Sequence, residues 1–283
     1  MRQLTYQSGC LALLLAAALG GCAELPETRG LELQPPKMAN DSVVLEVFLV
    51  RLPAGDARDT TAIWAEIDEL ALPAETRERL GKQGFRAGVT AGRIPVELER
   101  LLQLGEKSPA TSNDTVVTDF QHESNVSRRI LQMRAGKRGE IMASRQHERL
   151  TLFDRGEGQV TGQTYSQAQC CFAVSGAPRP DGNVRLEVAS EVQHGNPRVH
   201  YPPGEGSWMI ETRRPRVPLD DLKIEVQLRP GQILLLGGTE SADGSLGSYF
   251  FTDETSSGTV RRLVLIRLAQ SQHEGLFTPD DRP

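Results

Sequence analysis

The side chains that could bind a metal or transfer a proton are scattered along this sequence. Its five histidines are His122, His147, His194, His200 and His273, whereas a zinc site needs several ligands at short spacings. Only His194 and His200 share a Pro/Gly-rich loop, and solvated loop histidines explain that pair better than a metal does. We therefore predict no metal site.

Motifs for catalysis or cofactor binding are also missing. The sequence has no Gly-x-Ser-x-Gly elbow and no Gly-Lys-Ser/Thr ending of a P-loop, and the glycines in residues 156–162 lack dinucleotide-binding spacing. The adjacent acids Asp220 and Asp221 read as surface charge, because a catalytic pair needs a pocket that separates the two pKa values. We predict that the protein is not an enzyme and carries no cofactor.

Two of the four cysteines, Cys170 and Cys171, are neighbours in a strand-like run. Their side chains should point to opposite faces of that strand. A disulfide between adjacent cysteines needs a strained turn, so we predict two separate thiols and no disulfide framework.

The cysteine with the clearest chemistry is Cys22. A basic start and a short apolar stretch (residues 11–19) precede the sequence Leu-Gly-Gly-Cys that ends at Cys22. This order resembles the lipobox of bacterial lipoproteins. The resemblance implies that a diacylglycerol alkylates the Cys22 thiol and that residues 1–21 are a signal peptide, cut just before it. An ordinary secretory signal with a stray cysteine is the alternative.

The expected location and partners follow from Cys22 and from the charge. Acyl chains such as palmitate contribute about 0.8 kcal/mol per buried methylene, so the lipid anchor would hold the chain to a membrane, facing the periplasm. Ala23 follows the cysteine in place of Asp, which favours the outer over the inner membrane. The net charge is −5 and the basic residues are dispersed, which argues against binding nucleic acid. A homo-oligomer or contacts with secretion-system proteins are the other expected partnerships.

The first part of the chain alternates strand and helix patterns. Residues 22–41 are rich in Pro and Glu and predict a flexible tether, and residues 42–106 predict a small α/β domain. Polar residues 107–127 predict a linker. The elements expected in the α/β domain are a strand at 42–52, a helix from Thr61 to Leu70, a helix at 74–82 after Pro73, a strand at 85–89 and a helix at 94–104.

From residue 128 the pattern becomes that of β-structure. Residues 184–188 and 222–228 alternate with period two, whereas 232–238 and 262–268 are continuous apolar runs that should be buried on both faces. We predict a mostly antiparallel β domain over residues 128–270, with a tail at 271–283. The fold class is therefore α+β.

This β domain resembles the C-terminal domain of secretins, the multimeric outer-membrane channels of bacterial type II/III secretion and pilus systems. A strand–turn–strand at 177–188, a glycine-flanked strand at 231–238, a short aromatic loop at 247–251 and a closing strand at 262–269 carry the resemblance. The chain departs from secretins in lacking their series of ring-building domains and their proline-bearing segment. As a whole it also resembles a family of bacterial lipoproteins with the same layout and no assigned function.

One loop has the composition of a contact surface. Residues 200–208 combine aromatics, prolines and glycines, and Tyr201 and Trp208 are the candidate partner contacts. The alternative is a long hairpin loop with Trp208 tucked into the core.

These features predict a non-enzymatic cell-envelope lipoprotein whose secretin-like β domain acts in assembly or binding within the envelope. Two alternatives remain open. One is an envelope hydrolase with an unrecognised site, and the other is a divergent outer-membrane secretin channel subunit.

Overall fold

The computed structural model describes residues 41–53, 57–90, 95–105, 109–110, 116–117, 126–156, 159–200, 211–239, 244–255 and 258–273. The strands are β1 Ser42–Pro53, β2 Ile67–Asp68, β3 Phe85–Thr90, β4 Pro109–Ala110, β5 Val116–Val117, β6 Val126–Arg134, β7 Arg138–Met142, β8 His147–Gly156, β9 Gln159–Pro178, β10 Val184–Gln193, β11 Arg198–His200, β12 Glu211–Arg213, β13 Arg216–Leu228, β14 Ile233–Gly238, β15 Thr252–Thr255 and β16 Gly258–Gln272. The helices are α1 Ala57–Ala65, α2 Ala74–Lys82, α3 Val96–Gly105 and α4 Leu246–Phe251, with a 3-10 turn at Glu69–Ala71. The chain is α+β and mostly antiparallel β, as predicted.

The first sheet is built around β1 and β16. Its order is β2-β3-β14-β16-β1-β6-β4, and β15 pairs with β16. The side chains of β1 alternate between the two faces of this sheet, so that Leu45 and Val47 face the second sheet while Phe48 and Val50 face the other way. Both faces are buried, which is why the sequence of β1 is an almost unbroken apolar run.

The second sheet has the order β13-β10-β9-β7-β5, and β8 pairs with β9. The hairpin from β9 to β10 turns at Asp181, whose carboxylate accepts a hydrogen bond from the backbone N–H of Asn183 at 3.0 Å. Gly182 has φ +80°, which glycine adopts without strain. This is the strand–turn–strand that the sequence predicts at residues 177–188.

An apolar core fills the space between the two sheets. Its centre is an aromatic cluster in which the Phe250 ring lies 4.9 Å from Phe85 and 5.2 Å from Phe172. Phe251 completes the cluster, with its ring 5.3 Å from Phe85. Helix α4 therefore inserts two phenylalanines between strands of different sheets.

Helices α1 and α3 cover the other face of the first sheet. Ile63 and Trp64 of α1 and Leu98 of α3 are buried against Phe48 and Leu265. The protein is thus layered as helices, sheet and sheet, with α2 packing beside β3 and β13.

The structure differs from the predicted division into an α/β domain at 42–106 and a β domain at 128–270. Residues 39–283 form one compact unit, and β1 lies between β16 and β6 in a single sheet. Strand pairing joins segments that are far apart in sequence, and local patterns carry no information about such pairing.

Two local predictions were also wrong. The helix expected from Thr61 to Leu70 begins earlier and ends at Ala65, because residues 67–68 pair with β3. The aromatic loop expected at 247–251 is helix α4. Gly247 permits that helix to pack closely, since a Cβ there would overlap the carbonyl oxygen of Gly84.

Several predicted features lie outside the described residues. They are the signal peptide, Cys22, most of the tether at 22–41 and linker at 107–127, and the contact residues Tyr201 and Trp208. Among the residues that the structure describes, no helix is both long enough and apolar enough to cross a membrane.

Candidate functional site

Two paired strands flank the segment for which a contact loop is predicted. β11 and β12, which flank residues 201–210 in the sequence, pair antiparallel with Arg198 opposite Arg213. The contact role of that loop stays a prediction.

The described histidines, His147, His194, His200 and His273, lie in different segments of the fold. The His194 ring packs on Tyr165 with 4.7 Å between ring centroids, and burial together with Arg214 and Arg198 lowers its pKa. Within the described ranges, no three His, Cys, Asp or Glu side chains come close enough to hold a metal ion.

The adjacent cysteines face opposite sides of β9, as predicted. Both thiols are free and fully buried. Cys170 belongs to the core between the sheets, and burial raises its pKa to about 12. Burial also raises the pKa of Cys171, which faces the charges of Glu191, Glu140 and Arg138.

Those charges form the first polar cluster, named here the Arg138 cluster. Arg138 donates two hydrogen bonds of 2.6 Å to the Glu191 carboxylate, and it also contacts Glu140 at 3.2 Å. Glu140 accepts further bonds from Gln193 at 2.8 Å and from Arg216 at 3.1 Å. The cluster joins β7, β10 and β13 across the outer face of the second sheet.

The carboxylates of the Arg138 cluster are well matched by donors. The Glu191 side chain is only 8% exposed, so its charge depends on Arg138 for compensation. Burial acts to lower the pKa of Arg138, but the hydrogen bond and charge of Glu191 outweigh it and raise that pKa. The cluster is therefore a stabilising network that links three strands.

A second polar cluster lies at one end of the core between the sheets. Its members come from β1, the bend after β7, β8, β15 and β16: Arg51, Arg145, His147, Asp253 and Arg262. We name it the Arg262 cluster. Arg51 and Arg262 are opposite each other in the pairing of β1 with β16. Arg262 lies on the same side of β16 as the core residues Val264 and Ile266.

Asp253 is the acidic member of this cluster, and its buried Oδ2 accepts no hydrogen bond from the described residues. Asp253 lies 3.1 Å from Arg145 Nε and 3.8 Å from Arg51 Nη2, and its charge also acts on Arg262. Arg262 donates from Nη2 to the carbonyl oxygen of Thr252 at 3.0 Å.

The remaining nitrogens of Arg262 have no hydrogen-bond acceptor among the described residues. Nε and Nη1 are both buried, and the residue as a whole is 6% exposed. Burial is the main reason that the pKa of Arg262 falls to about 10, which still leaves the guanidinium charged at neutral pH. A charged group buried with unsatisfied donors is rare in native proteins and needs an explanation.

His147 borders the same region. Its ring packs edge-on against Tyr249 with 5.4 Å between centroids, and Nε2 is buried without a hydrogen-bond partner in the described part of the chain. Burial lowers the pKa of His147, and the positive charge of Arg262 acts in the same direction. The imidazole is therefore neutral at neutral pH.

Sequence reasoning missed both clusters. Arg262 stands out in the sequence only as half of a dispersed basic pair, and the acids and arginines around it follow no motif. The register of β1 with β16 and the return of β15 bring them together, and neither can be read from local spacing.

The chain has only weak similarity to the known proteins reported below. No family model matches the chain, and no curated protein matches it. Among solved structures, the chain is similar to the InvG secretin domain β-barrel from the Salmonella SPI-1 injectisome NC-base, at 12% identity and a TM-score of 0.19. The alignment covers 97% of this chain and 70% of that one. A TM-score this low makes it a weak structural neighbour.

Proposed function

We propose that this chain is a lipid-anchored protein of the bacterial cell envelope, held through Cys22, whose body acts by binding or assembly and not by catalysis. The observation that carries the proposal is the order of residues near the start: an apolar stretch at 11–19, then Leu-Gly-Gly, then Cys22. Acylation at this cysteine would place residues 42–273 in the periplasm, at the outer membrane.

The state of the described thiols argues against one kind of catalysis, that by a cysteine nucleophile. A cysteine nucleophile reacts as the thiolate and needs a lowered pKa and access to substrate. Cys170 and Cys171 are buried and have raised pKa values, so neither thiol is activated.

The long edge strand β13 supports assembly. Among the described residues it pairs only with β10, although it runs from Arg216 to Leu228. On its outer face Lys223 pairs with Glu187 of β10 at 2.9 Å. Backbone groups along such an edge can pair with a strand of another chain, either a second copy or a secretion-system protein.

The lipid anchor is tested by metabolic labelling with palmitate. The wild-type chain and a Cys10→Ala variant should take up label, because Cys10 lies within the proposed leader, whereas Cys22→Ala should not. The mass of the mature amino-terminal peptide should show an acylated Cys22. An unmodified Cys22, or label that persists in Cys22→Ala, would contradict the proposed anchor.

Assembly through β13 is tested with a photo-crosslinking amino acid at Gln227, with Gln163 on β9 as the control. Both positions are exposed. A product of twice the chain mass from Gln227 alone indicates self-assembly, and a product of another mass, identified as an envelope protein, indicates a different partner. Equal crosslinking from both positions, or none from Gln227, would exclude this edge as the contact.

A further inference from the structure

We propose that one end of the body is a docking surface for the anionic headgroups of a phospholipid membrane. It is the end at which β1 begins, and four exposed basic residues there are named the basic rim: Arg134, Lys137, Arg179 and Arg229. The proposal rests on the lipid anchor proposed at Cys22, since that anchor would bring a membrane to this end of the body.

The turn between β6 and β7 lies where the chain enters the body. Ser42, the first residue of β1, is opposite Arg134, the last residue of β6. The N–H of Ala135 then donates to the carbonyl oxygen of Asp41 at 2.6 Å, which holds the turn beside the start of β1. Lys137 is exposed in the same turn. Two basic side chains therefore lie close to the point at which the chain arrives from Cys22.

Two turns of the second sheet lie at the same end. Near the end of β16, the Ser271 hydroxyl donates to the carbonyl oxygen of Gly182 at 2.6 Å, so the β9–β10 turn that carries Arg179 is held there. The β13–β14 turn that carries Arg229 is also bonded to β16, through the N–H of Gly231 at 2.7 Å. Turns from both sheets thus bring the basic rim together at one end of the body.

The charge of this end is mainly positive. Within the described residues, none of the four side chains of the basic rim forms an ion pair. The acids nearby are Asp41, which lies 3.3 Å from His273, and Asp181, whose carboxylate accepts two hydrogen bonds from Asn183. The three turns and the adjoining strand ends therefore carry more basic than acidic side chains, although the net charge of the whole chain is −5.

An anionic membrane fits the basic rim better than a small anion does. Residues 23–41 separate Cys22 from β1, and a chain of that length spans at most about 65 Å. A membrane reached through Cys22 would lie within that distance of the basic rim, so a weak attraction is enough for docking. Anionic headgroups repeat across a bilayer and match charges that are spread over three turns, whereas one small anion would reach a single turn.

The segment after His273 is the alternative occupant of the basic rim. Residues 274–283 follow β16 in the sequence and contain three acids and one arginine. They lie outside the described residues. The membrane is preferred because its headgroups supply more negative charge than this segment does, and a shortened chain separates the two cases.

Docking is tested on residues 22–283, held to vesicles by a link that does not need acylation. A Cys22→Ser chain with a polyhistidine tag at its amino terminus binds nickel-chelating lipid, so failure of docking stays distinct from failure of palmitate labelling. A photo-crosslinking amino acid replaces Pro230, which is exposed in the β13–β14 turn, and Gln163 on β9 is the control position.

Position 230 should crosslink to lipid several-fold more than position 163 in phosphatidylethanolamine vesicles that contain phosphatidylglycerol. This difference should disappear in phosphatidylcholine vesicles, and also at a salt concentration of about 1 M, where charges are screened beyond about 3 Å. The proposal is overturned if the two positions crosslink equally in the phosphatidylglycerol vesicles, or if the yield from position 230 is the same in both kinds of vesicle.

Two double variants test whether the basic rim makes the contact. Lys137→Gln with Arg179→Gln should lower the lipid crosslink of position 230 about tenfold, because each basic residue near an anionic surface strengthens binding about fivefold. Arg149→Gln with Arg198→Gln removes the same charge from exposed positions on β8 and β11 and should leave the crosslink unchanged. All four positions are exposed, and circular dichroism should show that both double variants fold as the wild type does.

A chain that ends at His273 tests the alternative occupant. Its position 230 should crosslink to lipid as strongly as that of the full chain. If lipid crosslinking appeared only in the shortened chain, residues 274–283 would be the occupant of the basic rim and the proposal would fail. Equal losses in the two double variants would also refute it, because the attraction would then follow the total charge and not the basic rim.

Discussion

The same substitution, arginine to methionine, should change stability in opposite directions in the two clusters. Methionine has a similar length and no charge, so it removes the guanidinium without leaving a large cavity. Arg262 has two buried nitrogens without acceptors in the described residues, whereas Arg138 makes paired 2.6 Å hydrogen bonds to Glu191.

The expected size of each effect follows from these contacts. Arg262→Met relieves two unsatisfied donors, each costing about 1–3 kcal/mol, and loses one charged hydrogen bond to Thr252, contributing about 1.5–3 kcal/mol. The net result should be a gain of about 1 kcal/mol in the free energy of unfolding. Arg138→Met leaves the Glu191 carboxylate buried without its arginine, which should lower that free energy by about 3 kcal/mol.

Urea unfolding followed by circular dichroism and by tryptophan fluorescence measures both changes, and Arg149→Met is the exposed control, expected within about 0.5 kcal/mol of wild type. If Arg262→Met lost as much stability as Arg138→Met, the donors of Arg262 would have to be satisfied in solution, and the stability prediction would fail.

Three further predictions concern other buried groups. Burial lowers the pKa of His147 below 6.5 in the folded state, so the unfolded state binds this proton more tightly. The free energy of unfolding of the wild type should therefore fall as the pH drops through 6.5, and that of His147→Gln should fall less. Equal slopes of this free energy against pH would contradict the prediction. Cys170 and Cys171 should resist iodoacetamide in the native protein at mildly alkaline pH and react only in denaturant, as mass spectrometry would show. Gly247→Ala should lower the free energy of unfolding by about 2 kcal/mol or more, because the added Cβ would clash with the Gly84 carbonyl. Gly81→Ala should raise it by about 0.5–1 kcal/mol, because this helical position has free space for a Cβ. Equal effects of the two substitutions in denaturant titrations would contradict the packing around Gly247.

The sequence predicted correctly those features that depend on a single strand or helix. The helix Ala74–Lys82 has the predicted bounds, and Cys170 and Cys171 face opposite sides of β9 because side chains in any strand alternate. The α+β class followed in the same way from the spacing of apolar residues within single strands and helices. These features need no knowledge of which strands are neighbours.

Prediction failed where distant segments meet. The boundary expected at 107–127 does not divide the body, since β1 pairs with β16 from the far end of the chain. The same pairing places Arg51 opposite Arg262, so the Arg262 cluster could not be found without knowing the register of β1 with β16. No motif marks it, because its members come from separate elements of the fold.

The position of β1 has a mechanical consequence for a body held by a lipid. With the anchor proposed at Cys22, a pull on the chain would reach β1 at Ser42, the first residue of a strand that is bonded on both sides, to β16 and to β6. Antiparallel hydrogen bonds lie across the strand direction, so traction along β1 would shear many of them together and would not peel them apart one at a time. A strand bonded on both sides in this way would resist extension along its axis.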